Sequence, residues 1–243
     1  MKYQKYIIPI WFLFAVPIVG YLLWSPTSGE KWVPFLTFEA KNGFEIFFDP
    51  LAKKELKEYY QSGTVVINGS YFGTTTSGSY YPAGRWNIVW QKYFQDDIAR
   101  EDPNLSHIAL YDHAGGVILF LPNNETLPDC ADRKINSGSF DCSTFQAWPL
   151  VLTWWHILDI LDSWHADEPH ERTLIGTTEE GKIYFFIFTE KVSLKVAWES
   201  IKLRFPNDNM SVLNLDGGPS TAYYDGENGF WQNKKLPIIL RIN

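Results

Sequence analysis

The sequence predicts an α+β protein, a strand-rich single domain with a few helices, preceded by an N-terminal transmembrane helix. Short β-branched or alternating apolar runs repeatedly end in Asn or Asp followed by glycine, as strands do when they run into tight turns. Helical periodicity is confined to few, widely spaced segments. The first 24 residues form an apolar stretch behind two lysines, unlike anything that follows. A chain of 243 residues holds one sizeable core, and no repeat or low-complexity run divides the rest.

Lys2 and Lys5 precede Tyr6 to Trp24, which contains no charge. Such a run is long enough to cross a hydrocarbon core of about 30 Å as a helix. The lysines ahead of it place the N-terminus in the cytoplasm and the remainder outside. The alternative is a cleaved signal peptide and a secreted domain, although Trp24-Ser25-Pro26-Thr27 is a poor small-residue cleavage site. Residues 1–24 are therefore expected to be an anchor or signal, 25–31 a tether, and 32–243 the functional domain, periplasmic, extracellular or lumenal. Cys130 and Cys142 are the only cysteines, which excludes a disulfide framework and a four-cysteine zinc site; in an oxidising compartment they form one bridge or stay two small hydrophobes.

Within the domain, Phe44 to Phe48 alternates as a strand. Asp49-Pro50 then supplies an N-cap and first-turn proline for a helix to about Gln61, with Ala52, Leu56, Tyr59 and Tyr60 on one face and Gly63 ending it. Thr64 to Ile67 is a buried-type strand delivering Asn68-Gly69. Ile108 to Tyr111 and Val117 to Leu121 form a hairpin, as do Leu174 to Thr177 and Ile183 to Thr189 around Glu179-Glu180-Gly181. Leu150 to Leu161 fits a buried helix and a strand equally. Ser193 caps a helix whose Leu194, Ala197, Trp198, Ile201 and Phe205 share a face, and Pro206 stops it. Ser211 to Leu215 resumes a strand that opens into Asp216-Gly217-Gly218-Pro219-Ser220-Thr221.

The formal net charge is -7 and no basic run occurs, so nucleic acid is not an expected partner. Aromatic residues reach 17%, enough for a large core or for a surface that stacks on ring-shaped ligands. The sequence carries no Walker loop and no serine elbow, and His165, Asp167, Glu168 and His170 read as a solvated loop before a metal site. No cofactor and no metal are expected.

Four segments can carry chemistry. In Asn214-Leu215-Asp216-Gly217-Gly218-Pro219-Ser220-Thr221, a strand end aims a carboxylate while paired glycines free backbone N–H groups toward an anion; the plain alternative is a tight turn in which Asp216 caps its own backbone. Ile67-Asn68-Gly69-Ser70-Tyr71-Phe72 again ends a strand in an amide and a glycine, and doubles as a glycosylation acceptor pattern. Glu171-Arg172-Thr173-Leu174-Ile175-Gly176 places a guanidinium, able to clamp a phosphate, at the start of a strand. Gln146-Ala147-Trp148-Pro149-Leu150 sets a polar side chain before an aromatic-proline bend.

Taken in this order, the four segments resemble the phosphodiester glycosidase family, whose pattern is similar to N-G-G-F-F, Q-x-G-P, R-T-x-x-G and N-L-D-G-G-G-S. The resemblance spans about Thr64 to the C-terminus. It implies hydrolysis of a sugar 1-phosphodiester at the glycosidic carbon, releasing free sugar and a phosphomonoester, here on an extracytoplasmic glycan or envelope polymer. By matching positions, it implies Asp216 and Arg172 as catalytic residues. Asn68, Gly69, Gln146, Thr173, Asn214, Gly217, Gly218, Ser220 and Thr221 would line the substrate site. Arg172 and the glycine-loop amides would hold the phosphate while Asp216 acts at the anomeric carbon, as nucleophile or as base for water. A second carboxylate, if one takes part, would be Glu171, Asp141 or Asp112. The chain departs from the pattern at Ser70, Trp148 and Pro219, each in place of a glycine. Those losses, with the aromatic content, frame the alternative of a non-catalytic carbohydrate- or envelope-binding module on the same fold.

Overall fold

A computed structural model describes residues 33–74, 76–82, 107–112, 117–122, 142–147, 150–152, 167–233 and 235–243. The expected anchor and tether, and with them Cys130, Asp141, Trp148 and His165, lie outside the described residues. Among the described residues no helix is long and apolar enough to cross a membrane.

In chain order the first strands are β1 (Leu36–Glu39), β2 (Phe44–Phe48), β3 (Val65–Asn68), β4 (Phe72–Thr74) and β5 (Tyr80–Pro82). Then come β6 (His107–Asp112), β7 (Val117–Pro122), β8 (Cys142–Ala147), β9 (Leu150–Leu152), β10 (His170–Thr178) and β11 (Ile183–Val192). The helix α1 (Leu194–Arg204) leads to β12 (Met210–Asn214), β13 (Ala222–Tyr224), β14 (Gly229–Trp231) and β15 (Ile238–Ile242). Two five-stranded sheets result, in the orders β1-β11-β10-β12-β9 and β14-β13-β3-β15-β2. Among the described residues a three-stranded sheet β7-β6-β8 and the β4-β5 pair are also present, and every pairing is antiparallel.

The core follows from strand alternation. One face of the first sheet presents Ile175, Phe185, Ile187 and Leu213 to Phe44, Ile67, Leu240 and Ile242 of the second. Ala109, Tyr111 and Ile118 of the smaller sheet join the same cluster, with the Tyr111 ring stacked 4.2 Å from that of Phe44. The opposite face presents Leu174, Phe186, Phe188 and Val212 to Leu194, Ala197, Trp198 and Ile201 of α1. Burying each of these aromatic and aliphatic side chains contributes about 1.5–3 kcal/mol. The helix begins as its sequence dictates, with the Ser193 hydroxyl accepting a 3.2 Å bond from the Val196 amide.

The helix expected from Pro50 to Gln61 is replaced by a loop and one short 3₁₀ turn, Leu56–Tyr59. The Asp49 carboxylate accepts from the amides of Leu51, Lys53 and Lys54 at 3.1, 2.6 and 3.1 Å, and Ala52 takes a φ of +43°. Gathering three amides onto one side chain holds the segment in a local turn that competes with helix. Leu56 and Tyr59 are nevertheless buried, packed on Val66, Ala222 and Ile239 behind the second sheet. The ambiguous Leu150 segment starts as strand, since Leu150–Leu152 forms β9 at the edge of the first sheet.

Candidate active site

Three strand ends converge where the two large sheets meet. The start of β10 lies beside the end of β12 because the two are antiparallel with Leu174 opposite Asn214, and the Leu215 amide extends the ladder to the Thr173 carbonyl at 2.8 Å. The end of β3 reaches them through one buried side chain. Asn68, 1% exposed, accepts from the Thr173 hydroxyl at 2.6 Å and the Ala222 amide at 3.0 Å, and donates to the Asp216 carbonyl at 2.7 Å. A single amide therefore ties β3, β10 and both ends of the glycine loop, using its acceptor and donor sides at once.

The glycine loop is built against β10. A Cβ on Gly217 would lie 2.9 Å from the Glu171 carbonyl oxygen, so only glycine permits this approach. Gly218 has a φ of +58°, and a 3₁₀ turn follows over Gly218–Ser220 with Pro219 exposed on its outer side. The amides of Ser220 and Thr221 close this turn onto the carbonyls of Gly217 and Gly218 at 3.2 and 3.0 Å, and are thereby committed within the loop.

The half-buried Asp216 carboxylate accepts from the Gly217 amide and the Ser220 side chain. Burial pushes its pKa from 3.8 up to about 6, against the pull of those two bonds. Arg172 is buried, with Nε donating to the Val192 carbonyl at 3.3 Å and Nη2 to the Glu168 carbonyl at 2.7 Å. Desolvation lowers its pKa, partly offset by Tyr71 and Glu168. The site thus holds a clamped cation and a carboxylate whose pKa burial raises to about 6, the type of group suited to proton transfer.

Of the residues expected to line the site, Asn68, Arg172, Thr173, Asn214, Asp216, Gly217, Gly218, Ser220 and Thr221 are drawn together by this junction. Gly69 sits beside it with its amide bonded to the Ile238 carbonyl at 2.9 Å, and a Cβ there would strike the Ile238 side chain. Gln146 lies on β8 opposite Ile108, and Asp112 at the far end of β6 opposite Cys142. Glu171 is buried and accepts from Gln232 Nε2 at 2.7 Å. Glu168 and His170, the first residue of β10, bond each other at 3.2 Å with both side chains about half exposed. Ser70 Oγ and Thr221 Oγ1 are buried without a hydrogen-bonding partner among the described residues.

Tyr71 was not singled out from the sequence although it belongs to one of the four segments. Its hydroxyl accepts from Asn214 Nδ2 at 2.9 Å. Its pKa is raised, first by burial and then by Asp216, while Arg172 opposes the shift, so the phenol lies within electrostatic reach of both charged groups. Gln232 had no signal at all, since only the return of the chain after β14 brings it to Glu171.

The phosphodiester glycosidase family matches residues 65–238. Among solved structures, the zebrafish N-acetylglucosamine-1-phosphodiester alpha-N-acetylglucosaminidase catalytic domain, auto-inhibited by its pro-peptide, is similar with a TM-score of 0.54. The identity is 16%, over 90% of this chain and 86% of that one. A hypothetical protein from Synechocystis aligns at a TM-score of 0.45 and 13% identity, over 86% of this chain and 59% of its own. No curated protein matches the chain.

Proposed function

Because this chain belongs to the phosphodiester glycosidase family, which matches residues 65–238, we propose that it hydrolyses a sugar 1-phosphodiester at the glycosidic carbon, yielding free sugar and a phosphomonoester. The observation that supports this most directly is Asp216, a carboxylate with a pKa raised to about 6, fixed at the strand junction that also holds Arg172. The Asp216 carboxylate takes a proton from an attacking water, whose oxygen bonds to the anomeric carbon. The C1–O bond breaks, its electron pair stays with the phosphate oxygen, and the phosphomonoester leaves. Arg172 offsets the charge that grows on the phosphate. With the Ser220 and Thr221 amides used inside the turn, the guanidinium carries more of this duty than the loop does.

The substrate belongs to a glycan or envelope polymer outside the cytoplasm, and the apolar residues 6–24 behind Lys2 and Lys5 support that placement through membrane anchoring. The test is release of free sugar by the detergent-solubilised full chain from a panel of sugar 1-phosphodiesters, nucleotide sugars included. Inversion at the anomeric carbon, followed by NMR, is expected for water activation, whereas retention would make Asp216 the nucleophile. Glycan binding without turnover would instead assign a non-catalytic binding module.

A further inference from the structure

The hydroxyl of Tyr71 has a defined position and no role in the steps above. Its ring is part-buried and packs against the cluster between the two sheets, and its oxygen accepts a 2.9 Å bond from Asn214 Nδ2. Asn214 ends β12 two residues before Asp216 and pairs with Leu174, two residues after Arg172. The phenol oxygen is therefore held at the strand ends that carry the carboxylate and the guanidinium. With one lone pair occupied by the Asn214 amide, the O–H must point away from that residue.

From this geometry, and resting on the glycosidase reading, we infer that Tyr71 is a further catalytic residue, whose hydroxyl donates a hydrogen bond to the bridging glycosidic oxygen as the C1–O bond breaks. A sugar 1-phosphodiester placed with its anomeric carbon at Asp216 and its phosphate at Arg172 has that oxygen between them. The electron pair of the broken bond comes to rest on the oxygen, and the donor stabilises it there. The phenol keeps its proton: burial and Asp216 hold it un-ionised, while the phosphomonoester formed has a second pKa of about 6 and needs no proton to depart. The proton lost by water goes to Asp216 and then to solvent, so the step balances without a second acid.

The test compares Tyr71→Phe with the unchanged full chain on two substrates, a sugar alkyl phosphodiester from the panel and its analogue with sulfur in place of the bridging glycosidic oxygen, a weak hydrogen-bond acceptor. The expected result is a roughly 10- to 100-fold fall in kcat on the alkyl phosphodiester, from loss of one aimed donor. KM should change little and the fall should be several-fold smaller on the sulfur-bridged analogue. A ring acting only as packing would lower both rates alike. Equal losses on the two substrates, or unchanged kcat on both, would overturn the assignment while turnover by the parent chain leaves the glycosidase reading intact. An inactive parent chain would overturn both. Should Tyr71→Phe fail to fold, 3-fluorotyrosine at position 71 replaces it. Its more acidic hydroxyl is expected to raise kcat on the alkyl phosphodiester, and an unchanged or lower kcat would count against the proposal.

Discussion

Asn68→Ala removes a side chain that joins both sheets to the glycine loop. Three groups lose their partner: the Thr173 hydroxyl at 2.6 Å, the Ala222 amide at 3.0 Å and the Asp216 carbonyl at 2.7 Å. Thr173 and Ala222 are fully buried, so water does not readily replace what is lost. Each unsatisfied buried group costs about 1–3 kcal/mol, and the three do not add fully, which gives roughly 3–6 kcal/mol. A domain of this size has about 5–15 kcal/mol in hand, and each kcal/mol moves Tm by about 2–4 °C. The variant should therefore unfold roughly 6–24 °C earlier by circular dichroism, with a matching fall in the urea midpoint. Thr173→Val made in both backgrounds should show a coupling of at least about 1 kcal/mol. Stability of Asn68→Ala within about 1 kcal/mol of the parent chain, or additive double mutants, would refute the view that this amide is the junction of the site.

Asp216 links activity and stability through pH. Because its folded pKa is raised to about 6 above the ordinary 3.8, the folded state binds the proton more tightly, so its stability penalty is absent below about pH 4 and complete above about pH 6. At 1.36 kcal/mol per pH unit the penalty reaches up to about 3 kcal/mol. Asp216→Asn should accordingly gain stability relative to the parent as pH rises from 4 to 8, as urea titrations across that range would show, and a gain independent of pH would contradict the shift. If Asp216 is the base, kcat/KM should climb as pH rises through about 6 and level off above it, and a kcat/KM profile flat from pH 5 to 8 would remove it from that role. Gly217→Ala should force the loop off β10, because its Cβ meets the Glu171 carbonyl at 2.9 Å. A loss of about 1–3 kcal/mol and of most turnover is expected, read by thermal unfolding and sugar release.

Much of the junction that forms the candidate site was legible because its residues stand at strand ends, where local pattern and turn chemistry agree. The strand leading to Asn68, the β10–β11 hairpin and the capped helix before β12 occur where alternation and the Ser193 cap place them. The missing helix after Asp49 has a local cause that periodicity does not register, since one carboxylate took three amides and stopped the first turn. Tyr71 and Gln232 escaped for a different reason: their partners Asn214 and Glu171 are 143 and 61 residues away, contacts that only sheet order creates. The glycine loop illustrates the same limit at short range. Its composition suits anion binding, while its folded turn spends the Ser220 and Thr221 amides on itself and leaves Asp216 as the group it presents.

This junction is expected to hydrolyse a sugar 1-phosphodiester with Asp216 as its working carboxylate. The full chain, solubilised in detergent, should release free sugar and phosphomonoester in equal amounts from at least one sugar 1-phosphodiester, and Asp216→Asn should abolish that release while remaining folded. Undiminished release by folded Asp216→Asn, or none from the folded parent chain on any of the diesters, would contradict it.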